Sequence, residues 1–279
     1  MKLFIDGENN VSYITKYLSF ENTSIEECDY ILSAKMPWGT IDSGLIQQAL
    51  TSYKDINKKV LAFLITDSST TFRIPQNVYL FRTSLQKSKN ICNEFILPYI
   101  WEGFADRLIC PLEKKDKSVV GFCGQNNAWR KNVLLKLEQT EPIVCNFLVK
   151  QHFWGGAPHN KGVINDFINN IQNSHYTLCN RGTGNFSMRF YQVLSAGRIP
   201  IFVNTDMKLP FETEIDWKSI SVSGNNDDEL ISNLISFDST VDIVEVQRKC
   251  KIIYDNFFSP EKYLQKIFSL LDSGCENID

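Results

Sequence analysis

Apolar positions along the chain fall into short runs with polar ends. Strands are predicted at Lys2–Asp6, Tyr30–Ala34, Val60–Thr66 and Asn77–Arg82, and again at Val119–Gly124, Pro142–Val149, Tyr176–Asn180 and Ile199–Val203. Between several of them the period lengthens from two residues towards three and four. "SGLIQQALTSY" and "WRKNVLLKLEQ" therefore predict helices. Continuous Val, Ile and Leu runs alternating with helical patterns predict parallel sheets covered on both faces. The alternation restarts after "CPLEKKDKS", Cys110 to Ser118, which has no apolar period and reads as a linker, or as a charged loop within one larger domain. The chain closes on "SPEKYLQKIFSLLDSG". Ser259 stands at the N-cap, Pro260 in the first helical position and Glu261 in the first turn, with Tyr263, Ile267, Leu270 and Leu271 as the apolar stripe.

Composition narrows the function classes. The 279 residues are 43% hydrophobic, enough for two cores. A formal charge of −3 gives no field for a nucleic-acid backbone or an anionic membrane, so neither is an expected partner. The eight cysteines include no C-x-x-C pair and lie away from paired histidines, which predicts reduced thiols and no zinc site. Met1 leads directly into a strand, and no apolar run approaches 18 residues. The expectation is a cytoplasmic protein without membrane insertion. Asn185 lies in an Asn-Phe-Ser sequon inside the turn considered next, which points the same way.

That turn is Arg181-Gly182-Thr183-Gly184-Asn185-Phe186, between "YTLCN" and "SMRFYQVLSA". Its glycines permit close approach of a ligand to the backbone. Ser187 is placed to cap the following helix, whose first amides are unpaired donors at the positive end of the helix dipole. Arg181 and Arg189 flank it, and a guanidinium fork suits phosphate oxygens. The local reading is a phosphate or pyrophosphate site, or a tight turn alone. No G-K-[ST] follows, and Phe186 and Ser187 stand where a dinucleotide fingerprint needs its third glycine.

The stretch "CNRGTGNFSMRFYQVLSAGRIPIFV" resembles the signature of the exostosin-like glycosyltransferases. "LPFETEIDWKSISVSG", "GFCGQNNAWR" and "NVYLFRTSLQKSKNICNEFILPY" resemble further segments of that family, so the similarity covers about two thirds of the chain. With no anchor segment, the resemblance would suit a viral or bacterial enzyme, such as the compact members encoded by giant algal viruses. The resemblance implies a GT-B-like α/β architecture, with two Rossmann-like domains facing a central cleft and a C-terminal helix crossing back. Residues 1–111 would form the acceptor side, 112–258 the donor domain and 259–279 the returning helix. It further implies inverting transfer of a sugar from a nucleotide-sugar donor to a glycan acceptor. Arg130, Arg181, Gly182, Thr183, Gly184, Ser187 and Arg189 would face the donor's diphosphate. Gln192 stands where the family carries a ribose-binding Glu, so one hydroxyl contact changes from acceptor to donor.

No D-x-D occurs; Asp6-Gly7-Glu8 and Asp227-Asp228 are the nearest variants. Arginines and amides then supply the counter-charge, and no metal or other cofactor is expected. The base that accepts the acceptor's proton should end a strand of the first domain. Glu8 ranks first, Asp67 second and Asp6 third, although acidic residues after strands also cap turns. In "HFWGGAPHN", Trp154 is a candidate for stacking on a sugar or base and His159 for a phosphate, unless this is only a glycine-rich loop. Trp38 is a candidate for the acceptor side, unless it only closes a turn. Bulky Trp154 would favour a pentose, which selects UDP-xylose among UDP-sugars. A GDP-sugar-dependent fucosyltransferase-like enzyme and a non-catalytic glycan- or nucleotide-binding protein are the alternatives.

Overall fold

The computed structural model describes residues 1–9, 11–36, 42–99, 111–114, 116–157 and 159–273. The first domain runs β1 (Lys2–Asp6), α1 (Ser12–Thr15), β2 (Glu21–Asn22), β3 (Tyr30–Ser33), α2 (Ser43–Thr51), β4 (Lys59–Leu64), β5 (Val78–Arg82) and β6 (Glu94–Ile96). The second runs β7 (Val119–Gln125), α3 (Ala128–Glu138), β8 (Val144–Lys150), α4 (Lys161–Gln172), β9 (Tyr176–Leu178), α5 (Met188–Ser195), β10 (Ile199–Val203), β11 (Val222–Gly224), α6 (Asp227–Thr240) and α7 (Ile243–Ile253). A π-helical turn at Tyr254–Phe258 leads into α8 (Pro260–Asp272).

Both sheets are parallel, as the continuous apolar runs predict. The first has six strands in the order β2-β1-β3-β4-β5-β6, the second five in the order β11-β10-β9-β7-β8. Registers such as Leu64 beside Arg82 and Gly124 beside Val149 level the strand ends from which the site is built. Ile46, Leu50 and Tyr53 pack on one face of the first sheet. Its other face joins a core that continues into the second domain through Phe190, Phe211 and Tyr263. α8 carries this continuity. Tyr263 donates to the Ile96 carbonyl at 2.6 Å, Phe268 meets the Tyr30 ring edge-on at 5.7 Å, and Tyr30 bonds Asp272. The α/β layout and returning helix of the GT-B-like expectation are thus present. The boundary expected near residue 111 adjoins residues 100–110, which lie outside the described residues.

Two local expectations change. Ser259 takes the N-cap position of α8, but its hydroxyl bonds back to the Asp255 carbonyl at 3.2 Å instead of capping. In the apolar stripe, Leu270 is half-buried, while Leu264 and Phe268 are buried beside Tyr263, Ile267 and Leu271. β8 forms the outer edge of the second sheet and leaves Val144, Leu148 and Val149 exposed.

The carboxyl ends of the two sheets meet. Asn185 donates from its backbone N–H to Ser84 Oγ at 2.9 Å and from Nδ2 to the Leu85 carbonyl at 3.2 Å. Gln86 pairs with Met207, and Ser88 N–H donates to the Asp206 carboxylate. The turn after β9 and the loop after β10 therefore lie against the ends of β4 and β5.

Candidate functional site

In the second sheet the chain passes from β7 outward to β8, then returns to place β9 on the other side of β7. This reversal opens a crevice at the strand carboxyl ends, the usual ligand position of such sheets. Two guanidinium groups span it. Arg130 enters from the first turn of α3, whose Asn127 side chain accepts from Trp129 N–H at 3.0 Å. Its Nη1 donates to the Gln125 carbonyl at 2.7 Å, and Nη2 and Nε to the Asn180 carbonyl at 3.3 and 3.4 Å. Arg189 enters from α5, with Nη2 donating to the Cys123 carbonyl at 2.7 Å and Nη1 to the Leu178 carbonyl at 3.2 Å. Both cations rest on the Phe122 ring, 5.6 and 4.7 Å from its centroid. Gly124 makes room, since a Cβ there would come within 2.6 Å of Arg189 Nη2.

Neither arginine has a carboxylate partner among the described residues. Burial and the neighbouring Arg189 charge push the Arg130 guanidinium down to about 10. Burial likewise lowers Arg189. Two cations so close and desolvated oppose one another, a repulsion that a bound anion would relieve.

Arg181 stands at the rim. It is half-buried, lies 4.8 Å over the Trp129 ring, and donates to the Thr183 carbonyl at 2.7 Å and to Asn185 Oδ1 at 3.2 Å. Gly182 is adjacent to Arg130: a Cβ there would lie 3.6 Å from Nη2. Thr183 is exposed. At Gly184 the first domain intervenes. The Asp67 carboxylate lies against the Gly184 backbone and in the field of Arg181. Gly184 must lack a side chain here, because a Cβ would come within 2.7 Å of Asp67 Oδ1. Asp67 follows β4 and is held from behind. Ser84 Oγ donates to its carbonyl at 3.2 Å, and Arg82, in a buried pair with Glu94 at 2.9 Å, donates to the Ser68 and Thr70 carbonyls just beyond it. Partial burial raises the Asp67 carboxyl above its usual value, against the Gly184 amide and Arg181, which lower it.

The sequence assignments divide accordingly. Arg130, Arg181, Gly182, Thr183 and Gly184 gather around the crevice. Arg189 belongs beneath it: the residue faces the sheet, so its fork is spent on main-chain carbonyls and contributes charge rather than a free donor pair. Ser187 occupies the N-cap of α5, but its hydroxyl makes no capping hydrogen bond, and it is buried at the domain seam near Thr83 and Lys208. Gln192 is buried on α5 and makes no side-chain hydrogen bond among the described residues. Among the acids, Asp67 reaches the turn. Glu8 is exposed after β1, two strands along the sheet from β4 and so about 10 Å away laterally. Asp6 is paired with Lys35 at 2.7 Å. His159 is exposed in the loop after β8; the Trp154 side chain and Trp38 lie outside the described residues. Trp129, whose ring carries Arg181, escaped the sequence reading because it stands within a helical pattern. Its position next to Arg130 was the available signal.

Residues 104–235 match the Exostosin GT47 domain, which supports the exostosin-like assignment. Exostosin-1 of Drosophila melanogaster is 28% identical over 110 residues, covering 38% of this chain and 14% of that protein. The Exostosin-1 homolog of Caenorhabditis elegans is 28% identical over 112 residues, covering 38% of this chain and 29% of that protein. The chain thus spans less than a third of the length of these relatives. Among solved structures, the spinosyn rhamnosyltransferase SpnG complexed with thymidine diphosphate aligns at TM-score 0.41 and 8% identity, covering 86% of this chain and 73% of that one. The wall teichoic acid polymerase TagF aligns at TM-score 0.31 and 12% identity, covering 99% and 89%.

Proposed function

We propose that this protein transfers a sugar from a nucleoside-diphosphate sugar to a hydroxyl of a glycan acceptor, with inversion. The observation that carries the reading is the pair Arg130 and Arg189, two cations without carboxylate partners among the described residues, bridging the carboxyl ends of β7 and β9. A diphosphate above them would meet their combined charge, Arg181 at the rim and the backbone of Gly182 and Thr183. As the bond between the anomeric carbon and the diphosphate oxygen breaks, its electron pair stays with the leaving group. The guanidinium charges then stabilise the transition state more than the intact donor. Asp67 is the base in this reading: it takes the acceptor's hydroxyl proton as the acceptor oxygen bonds to the anomeric carbon. The charge on the leaving group is countered by arginine, without a metal.

UDP is the proposed nucleotide and xylose the proposed sugar, the latter resting on Trp154 in the loop after β8. Calorimetry with UDP and GDP tests the core of this reading. UDP should bind, and Arg130→Ala should weaken it by about 1.5–3 kcal/mol through loss of a charge-assisted contact. Binding of GDP alone would replace UDP with a GDP-sugar. Unchanged UDP affinity in folded Arg130→Ala would remove the crevice from the reading. Hydrolysis over a UDP-sugar panel tests the sugar, and faster turnover of UDP-glucose than UDP-xylose would reject the pentose.

A further inference from the structure

Beside Arg181, between the first turns of α3 and α6, a second cleft of about 260 Å³ opens at the ends of β9 and β10. Its walls include Trp129, Asn132, Asn226, Asp227 and Asp228, and no residue of α5 or of the first domain lines it. Trp129 leaves 51% of its surface exposed, yet it is firmly held. Its amide is capped by Asn127, its carbonyl accepts from Asn180 Nδ2 at 2.7 Å, and the Arg181 guanidinium lies over its ring. An indole fixed in water forgoes the gain from burial, roughly 25 cal/mol per Å² of apolar surface. It offers a rigid platform with little entropy left to lose.

The charges around the cleft cancel. Arg181 and Lys136 face Asp227 and Asp228, with Lys136 Nζ 2.6 Å from Asp228 Oδ1. No net field remains to select an anion, unlike the crevice beneath Arg130. Polar groups of both kinds are interleaved. Asn132 is exposed, and neither its amide nor the Asp227 carboxylate makes a side-chain hydrogen bond among the described residues. Asn226 uses Oδ1 to cap α6, leaving its amide N–H groups as donors. A neutral ligand with one apolar face and a rim of hydroxyls, each able to donate and accept, matches this lining. The volume falls just below the roughly 300–1,000 Å³ of pockets for larger organic ligands, which suits one sugar ring.

We propose that this cleft is a saccharide subsite that takes one neutral pyranose ring. The ring's C–H face stacks on Trp129, and its vicinal hydroxyls meet Asn132, Asn226 and Asp227. The inference rests on the glycosyl-transfer reading only in what the ring belongs to: a residue of the acceptor glycan, gripped away from the transfer point.

Saturation-transfer NMR on the full chain, with the methyl β-glycosides of xylose, glucose and galactose at on the order of 10 mM, tests this directly. At least one glycoside should receive saturation at its ring C–H protons. The signal should fall at least fivefold in Trp129→Ala and in Asn132→Ala, while UDP affinity in Asn132→Ala stays within twofold. Asn132 is exposed, so its variant keeps the test available if Trp129→Ala does not fold. No saturation with any glycoside, an undiminished signal in both variants, or displacement of the glycoside by UDP would each overturn the proposal. UDP binding is read separately, so a failure of the donor reading shows as lost UDP affinity and not as lost glycoside signal.

Discussion

Asp67 is the carboxylate through which the first domain touches the turn after β9. Burial raises it while Arg181 and the Gly184 amide hold part of its charge. As the base of the proposed transfer it must be ionised, so the rate should rise with pH through a midpoint above the usual carboxylate value. Asp67→Asn should lower transfer by about 10²–10⁴-fold and remove that acid limb while UDP still binds. A retained acid limb in the variant would return the role to Glu8. At the opposite end of the second sheet, His175 Nδ1 accepts from Val119 N–H at 2.9 Å, and Nε2 meets the Glu113 carbonyl at 3.2 Å. This pairing requires the neutral ring, and burial lowers its pKa. The stabilisation is therefore present above the unfolded value of about 6.5 and is lost as pH falls through the folded one. Thermal unfolding followed between about pH 7 and 5 should show a steeper loss in the native protein than in His175→Gln. Equal slopes would show that the ring does not gate stability.

At the scale of elements, the turn between β9 and α5 works as a tether and, in the proposed function, as a cradle for the diphosphate. Asn185 is fully buried, and its side chain joins the Leu85 carbonyl, Thr205 and Arg181. Asn185→Ala strands several buried groups, so it should cost about 1–3 kcal/mol in denaturant unfolding and weaken UDP binding as well. Loss of stability with unchanged UDP affinity would separate tether from cradle. Sequence reading located the elements well where length gave it a period. Lys2–Asp6 and Ile199–Val203 are observed with the predicted limits, and Val119–Gly124 extends by one residue. β2, β6 and β11 have two or three residues each, too few for alternation to register. The glycine turn and its flanking arginines were legible because spacing along the chain suffices to place them. The direction of Arg189 was not, since it depends on how α5 lies against β7 and β9. Trp129 was hidden by the same limit: a helical pattern does not say which of its aromatic residues meets a guanidinium from another loop.

For the whole molecule, two parallel sheets present their carboxyl ends to one seam, and α8 returns across it to bond the first sheet at Ile96. Asp67 can reach Gly184 only because both ends face inward. That juxtaposition lies outside any local motif, although the family resemblance implied it. The outer boundary of the second sheet has a different consequence. Among the described residues no strand pairs with the outer side of β8, beside exposed Val144, Leu148 and Val149. Such an edge is a template for strand addition. In concentrated solution it should make this the sticky side of an otherwise charged particle, with light scattering growing faster than concentration. Val149→Lys should flatten that growth without changing UDP affinity. If it does not, the attraction arises elsewhere on the surface. The edge that leaves β8 open would thus set the concentration at which the protein can be handled.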